Sequence, residues 1–151
     1  MPKITQRSDC PISNSLEIWG DKWSLLIIRD LMFAHKNTYS ELLQSAEKIS
    51  TNILAARLLA LEENGIIEKL AHPDSKAKVW YQLTPKGIAL MPLLLEISLW
   101  AEKFFEVPDS IAAVNEMARR DRAGVIREKS AELLAMRSVT AATSTPKIKD
   151  V

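Results

Sequence analysis

Few residues in this chain have the chemistry of a reactive centre. It has one cysteine and two histidines among 151 residues. His35 falls in a polar turn and His72 in a polar loop, with no glycine-rich phosphate loop and no metal-ligand spacing beside them. Catalysis needs convergent polar groups, so neither an enzyme, a bound metal nor a cofactor is expected. Cys10, being alone, excludes an intramolecular disulfide and a cysteine-based zinc cluster, and leaves a buried thiol, an intermolecular bridge or a reactive sensor. Pro11 opens a helix directly after it, so backbone amides and the helix dipole favour a reactive thiolate. Lys3 and Arg7 would support that thiolate and Asp9 would oppose it. Sensor and inert thiol both remain open.

The richer pattern is suited to reading DNA. Ser50 is placed to cap a helix whose first exposed positions are Thr51, Asn52, Ala55 and Ala56. An asparagine can make a bidentate contact with adenine, and threonine or alanine methyls can touch a thymine methyl. The free amides at such a helix end also favour a phosphate, although Ser50 is accounted for by capping alone. Arg57 has two roles open: contact with DNA, or an internal ion pair with an acid such as Glu41, which its helical position favours. Glu62 and Glu63 sit at the far end, away from the groove. Lys36, Lys48, His72, Lys76 and Lys78 are candidate phosphate contacts, each equally readable alone as a solvated surface group.

The elements that position these residues follow from hydrophobic spacing. Pro11 to Trp19 reads as a first helix, ended by Gly20, and Asp21 caps a second, Lys22 to about Phe33, at the centre of the core. Thr38 caps a short helix, Tyr39 to about Ala46, and Ser50 opens the next, Thr51 to Glu63, with Leu54, Leu58 and Leu61 on one face. Ile66 to Leu70 and Val79 to Leu83 read as paired strands around a polar loop, Ala71 to Lys78, with Pro73, Asp74 and Ser75 as turn residues. Thr84-Pro85 launches a long helix to about Phe105, kinked at Pro92. That helix is apolar most of the way round, which points to a subunit interface formed by Ile12, Leu16, Leu90, Leu94, Ile97, Trp100 and Phe104. Ser110 to about Met136 reads as one helix or a broken pair with Gly124 as the weak point, and a disordered tail follows Ser138. Trp19, Trp23, Trp80 and Trp100 read as packing residues; a small apolar effector between the hairpin base and the dimer helices is the alternative.

The fold class is therefore mainly α with a small β-hairpin wing, a winged helix-turn-helix with long C-terminal dimerisation helices. Residues 1–105 form the DNA-binding domain with its dimer helix, 106–138 a helical extension and 139–151 the tail. Specific strings agree in order: Cys10-Pro11, Gly20-x-Lys22-Trp23-Ser24, Ile28-Arg29-Asp30-Leu31, Tyr39-Ser40-Glu41-Leu42, Ile49-Ser50, Arg57-Leu58, Leu61-Glu62-Glu63-x-Gly65-Ile66-Ile67 and Tyr81-x-Leu83-Thr84-Pro85-x-Gly87. From Asp9 to Phe105 the chain resembles the HxlR family of bacterial transcriptional regulators, relatives of the MarR group. The resemblance implies a dimeric DNA-binding regulator, and some relatives use a cysteine near position 10 to sense oxidants or quinones. It implies nothing for residues 106–151, which exceed the family core.

Composition bounds the partners. With 47% hydrophobic and 26% charged residues the chain reads as an ordinary soluble globule. No stretch approaches the roughly 20 apolar residues of a membrane helix, and Met1 to Asp9 carries no apolar run, so the expected location is the cytoplasm, without membrane contact. Net charge is only +1, so a role on DNA must rest on where the cations sit. The reading is a homodimeric, sequence-specific regulator, a repressor, bound to an inverted repeat in double-stranded DNA, with a small-molecule or oxidant effector possible. Its rival is a winged helix used as a protein-interaction module without DNA.

Overall fold

The computed structural model describes residues 6–144, with side chains described through residue 140. The first helix, α1 (Pro11–Trp19), opens on a proline whose missing N–H costs nothing in a first turn. The second, α2 (Ser24–Phe33), starts two residues later than Lys22 because Asp21 reaches forward. Its carboxylate accepts the N–H of Trp23 at 2.9 Å, the N–H of Ser24 at 3.0 Å and the Ser24 hydroxyl at 2.5 Å. Ile28 at its middle is fully buried, with Ile27, Leu31 and Met32 beside it.

A reciprocal capping box opens α3 (Tyr39–Leu43). Thr38 Oγ1 accepts the Glu41 N–H at 3.4 Å, while the Glu41 carboxylate accepts the Thr38 and Asn37 N–H groups, each at 2.9 Å. The helix stops short of Ala46 because Gln44 and Ser45 turn their N–H groups back onto the Glu41 and Leu42 carbonyls. The fourth helix, α4 (Thr51–Glu63), has the bounds its spacing predicts. Gly65 follows with φ +70°, the left-handed conformation that glycine adopts without cost.

The hairpin is longer than expected. Strands β1 (Ile67–His72) and β2 (Ser75–Leu83) pair antiparallel from Ile67 opposite Leu83 to Ala71 opposite Val79, with a bulge at Ala71/His72. Most of the expected polar loop is therefore strand. The outer hairpin is exposed on both faces, so it carries no apolar alternation to announce itself.

The expected long helix is two: α5 (Pro85–Ile88) and α6 (Met91–Glu102). Pro92 lies in the opening turn of α6 rather than at a kink, where its lack of an N–H removes no hydrogen bond. The extension forms α7 (Asp109–Arg120) and α8 (Arg122–Ser144). They part at Asp121, not at Gly124: Asp121 has φ −147° and ψ 79°, and its carboxylate accepts the Gly124 N–H at 2.9 Å as a cap. Helix α8 continues past Ser138, where the tail was expected. The Ser138 and Thr140 hydroxyls donate to carbonyls four residues back, at 3.4 and 3.0 Å, so their polar groups are satisfied inside the helix. The rest of the expected tail, 145–151, lies outside the described residues.

One core gathers α2, α4, the hairpin root, α5 and the start of α6, with Leu133 of α8 inserted into it. A second joins Leu95 and Leu99 of α6 to Ala118 and Val125 of the extension. Asn115, fully buried between α6 and α7, accepts the Ser98 hydroxyl at 2.9 Å and donates to Glu102 at 3.2 Å. Further along α8, Arg137 binds the Glu68 carboxylate and donates to the Leu83 carbonyl at 2.6 Å, tying the extension to the hairpin root.

Gly87 lets α5 approach the hairpin root closely. A Cβ there would lie 2.3 Å from the Ile66 carbonyl oxygen and 3.0 Å from Leu83 Cδ2. Gly87→Ala should therefore lift α5 off the hairpin root and cost about 1–3 kcal/mol of stability, read by urea denaturation; an unchanged midpoint would show that α5 shifts freely.

Candidate nucleic-acid interface

Helix α4 divides cleanly between core and solvent. Leu54, Leu58 and Leu61 are buried, and Thr51, Asn52, Ala55 and Ala56 are exposed. Ser50 accepts the Ile53 N–H at 3.4 Å as the N-cap. The Tyr39 hydroxyl donates to the Thr51 carbonyl at 3.0 Å, which ties the start of α4 to α3.

The turn joining α3 to α4 is held from beneath by a charged cluster. Asp30, 3% exposed within α2, accepts Arg29 Nε at 3.0 Å and Nη2 at 2.8 Å, together with the Ser45 hydroxyl. Lys36 approaches the same carboxylate at 3.5 Å. Arg29 continues to Glu47 through two parallel bonds, Nη1 at 2.6 Å and Nη2 at 2.9 Å. Lys48 follows in the left-handed conformation, φ 57°, with its side chain exposed.

The other expected residues are distributed unevenly. The half-buried charge of Lys36 is directed at Asp30 rather than at solvent. His72 shapes the hairpin tip: its Nδ1 accepts the Asp74 N–H at 3.1 Å and its ring meets Trp80 edge-on at 5.5 Å. Lys76 and Lys78 are exposed on β2. The acid beside Arg57 is Asp21, not Glu41, whose carboxylate is occupied by the capping box. Arg57 Nε stands 3.6 Å from Asp21, too far for a hydrogen bond, and is buried with no hydrogen-bond partner. Burial pushes the Asp21 carboxyl up, but the Ser24 hydroxyl, the Trp23 and Ser24 N–H groups and the Arg57 charge together hold it below its ordinary value. Glu41 is likewise pushed up by burial and held lower overall by the Asn37 and Thr38 N–H groups, the Thr38 hydroxyl and the charge of Lys78.

The expected interface residues also separate. Ile12, Leu16, Ile97, Trp100 and Phe104 are exposed, Trp100 stacking at a tilt on Phe104 at 5.1 Å. Leu90 and Leu94 are half-buried against the protomer's own core. Trp100, 57% exposed, thus departs from the packing role expected of the tryptophans; Trp19 and Trp23 do pack on the core. Cys10 is exposed at the start of α1, with Arg7 directed instead to Glu17 at 3.1 Å; Lys3 lies outside the described residues. Sequence reasoning missed the Asp30 cluster, Asp21 beside Arg57, and Arg137. The available signal for Asp30 was a carboxylate set within the apolar stripe of Ile27 and Leu31.

The sequence profile described as HxlR-like helix-turn-helix matches residues 18–109, ending where α7 begins. The HTH-type transcriptional regulator YodB of Bacillus subtilis is 37% identical over 103 residues, which is 68% of this chain and 91% of YodB. Among solved structures, PA1607 superposes with a TM-score of 0.60 at 40% identity, covering 68% of this chain and 70% of its own. Reduced YodB superposes at 0.53, covering 68% of this chain and all of its own, and YodB is also solved diamide-treated and quinone-bound. The redox regulator HypR, in its oxidized form, superposes at 0.55 with 29% identity, covering 65% of this chain and all of its own.

The charged cluster makes the turn acid-sensitive. The Arg29 hydrogen bonds, against an opposing push from burial, hold Glu47 down from the ordinary 4.5 to about 2. A depressed carboxyl stabilises fully above about pH 4.5 and loses that contribution as pH falls towards 2. Glu47→Gln should therefore cost about 1 kcal/mol or less at pH 7, discounted for solvent screening. Its stability curve should converge with that of the unsubstituted protein near pH 2, whereas a constant gap across acid would show that Glu47 acts through shape rather than charge.

Proposed function

The chain belongs to the HxlR-like helix-turn-helix family of transcriptional regulators, and from that premise we propose that it represses transcription as a homodimer bound to an inverted-repeat operator in duplex DNA. The observation that carries the reading is the exposed N-terminal half of α4, fixed by α3 and the Asp30 cluster while its leucines are sunk in the core. In a helix-turn-helix the N-terminal residues of the second helix enter the major groove. Asn52 pairs with an adenine edge, while Thr51, Ala55 and Ala56 lie against thymine methyls. Ser50 closes the helix end nearest a phosphate. Lys48, Lys76 and Lys78 take phosphates on either side of the groove. Arg57, half-exposed and loosely paired to Asp21, adds a further cation, while Lys36 and His72 serve the scaffold.

Dimerisation rests on the uncovered apolar side chains of α1 and of the end of α6: Ile12, Leu16, Ile97, Trp100 and Phe104. A patch of this kind on a small protein marks an interface. It would set two α4 helices about 34 Å apart, one DNA turn, so that the bound dimer occludes the DNA it covers. Cys10 borders the α1 part of that patch and is exposed. Because YodB is known in diamide-treated and quinone-bound forms and HypR is a redox regulator, thiol oxidation at Cys10 is the proposed signal, acting by reshaping the α1 contact.

The direct test is binding to the DNA upstream of the chain's own gene, followed by selection from random sequence, each across a salt series. Affinity should fall steeply with salt, and Lys78→Ala should reduce the logarithmic slope by about 1. Asn52→Ala should lose about 1–3 kcal/mol of discrimination at one base pair. Failure to select any sequence would favour the protein-interaction module instead. Independently, Trp100→Glu and Ile97→Glu should give monomers in sedimentation velocity; dimers that persist in both would remove this patch from the interface. Mild oxidation should release DNA from the native protein and spare Cys10→Ser, and equal release from both would exclude Cys10 as the sensor.

A further inference from the structure

A cavity of about 270 Å³ lies between the end of α2, one side of α6 and the α7–α8 pair. Leu94, Leu95, Val114 and Val125 line it, with Phe33 and Ile111 exposed at its mouth. Three polar side chains line this apolar space, Ser98, Asn115 and Lys129, and no carboxylate does; the Asn115 amide is committed to Ser98 and Glu102. The Ser98 hydroxyl spends its proton on Asn115 at 2.9 Å and keeps its oxygen free to accept. The Lys129 ammonium pairs, among the described residues, with Glu132 at 3.4 Å along the same helix, and its side chain is 43% exposed. Protein interiors rarely keep voids larger than a water, and an apolar void of roughly 150 Å³ already admits benzene.

We propose that this cavity is a binding site for a hydrophobic monocarboxylate, such as a medium-length acyl chain or a substituted single ring, its apolar body on the leucines and valines and its carboxylate at Lys129. Half of the site is built by the extension beyond the family match at residue 109. The consequence for DNA, unlike the binding itself, rests on the regulator reading. Lys129 and Arg137 share α8, roughly 12 Å apart along its axis, and Arg137 clamps Glu68 and the Leu83 carbonyl at the hairpin root. A ligand that displaces α8 therefore displaces the clamp on the wing.

The test titrates the full-length protein calorimetrically with sodium octanoate and, as the neutral counterpart, 1-octanol. Octanoate should bind saturably, one per chain, and more tightly than octanol. Lys129→Gln should weaken octanoate about threefold to fivefold and leave octanol unchanged. Val114→Trp should fill the cavity and weaken both more than tenfold, and Ile111→Trp, at the exposed mouth, should do the same if the buried replacement unfolds the chain. Absence of saturable binding, or unchanged binding in the filled variants, would overturn the site; octanol matching octanoate would overturn the carboxylate assignment. Dissociation of a dimer in step with octanoate binding would show that a second copy occupies the cavity, which also overturns the proposal. DNA affinity should shift at least threefold with octanoate and lose that shift in Arg137→Met; no shift overturns the coupling. Octanoate binding without any DNA binding would count against the regulator and support the site, and DNA binding without octanoate binding would do the reverse.

Discussion

The carboxylate of Asp30 is the constraint on which the helix-turn-helix half of the molecule depends. It is buried within α2, where an ionised group is costly unless every lone pair is engaged. Arg29, Lys36 and the Ser45 hydroxyl engage it, and they come from three places: α2, the turn after α2, and the turn after α3. Satisfying one buried charge thus fixes the start of the helix-turn-helix relative to the core. Arg29 extends the constraint to Glu47, and only four residues later α4 begins. The apolar contacts of Leu54, Leu58 and Leu61 hold α4 against the core, but the polar cluster decides the entry point of its first turn. Apolar packing tolerates small slides, whereas a bidentate ion pair does not.

The extension changes what α6 is. As read from its sequence, the helix after Thr84 is apolar most of the way round, and the excess points to a subunit interface. With α7 and α8 present, Leu95 and Leu99 are covered within the protomer, and the uncovered apolar residues contract to Ile97, Trp100, Phe104 and Phe105. The same helices reach the hairpin root through Arg137 and the main core through Leu133. A segment outside the family match is thus mechanically continuous with both α6 and the hairpin.

Most helices were legible because each had a local rule. Asp21, Thr38, Ser50 and Thr84 announced helix starts, and the leucine spacing of α4 fixed its face. The misses arose where local rules compete. Pro92 satisfies both a kink and a first turn, and Gly124 and Asp121 each look like a break; only the capping bond from Asp121 to the Gly124 N–H shows which residue acts. The hairpin tip was hidden because solvent on both faces removes the period-two signal. Arg57 was paired with the wrong acid since Glu41 and Asp21 are equally acidic in a string of letters, and it is the capping box that removes Glu41 from contention. Arg137 and Glu68 are 69 residues apart, beyond any local rule.

The near-neutral net charge of +1 looked unfavourable for a nucleic-acid partner. The ion pairs resolve this in spatial terms. Many of the acids are held by cations in the scaffold: Asp30 and Glu47 by Arg29, Glu62 by Lys69, Glu68 by Arg137, Glu96 by Arg122, and Glu102 and Glu116 by Arg119. Such pairs cancel in the sum without cancelling the field at Lys48, Lys76 and Lys78, which lie exposed on the turn and the wing. Three exposed cations on the turn and the wing would give a modest sequence-independent attraction. Under the proposed function a single subunit would hold DNA weakly, and affinity would come from two subunits acting together and from base contacts by α4. In the proposed dimer the separation of the two α4 helices would then be decisive, and the apolar residues of α1 and α6 would set it.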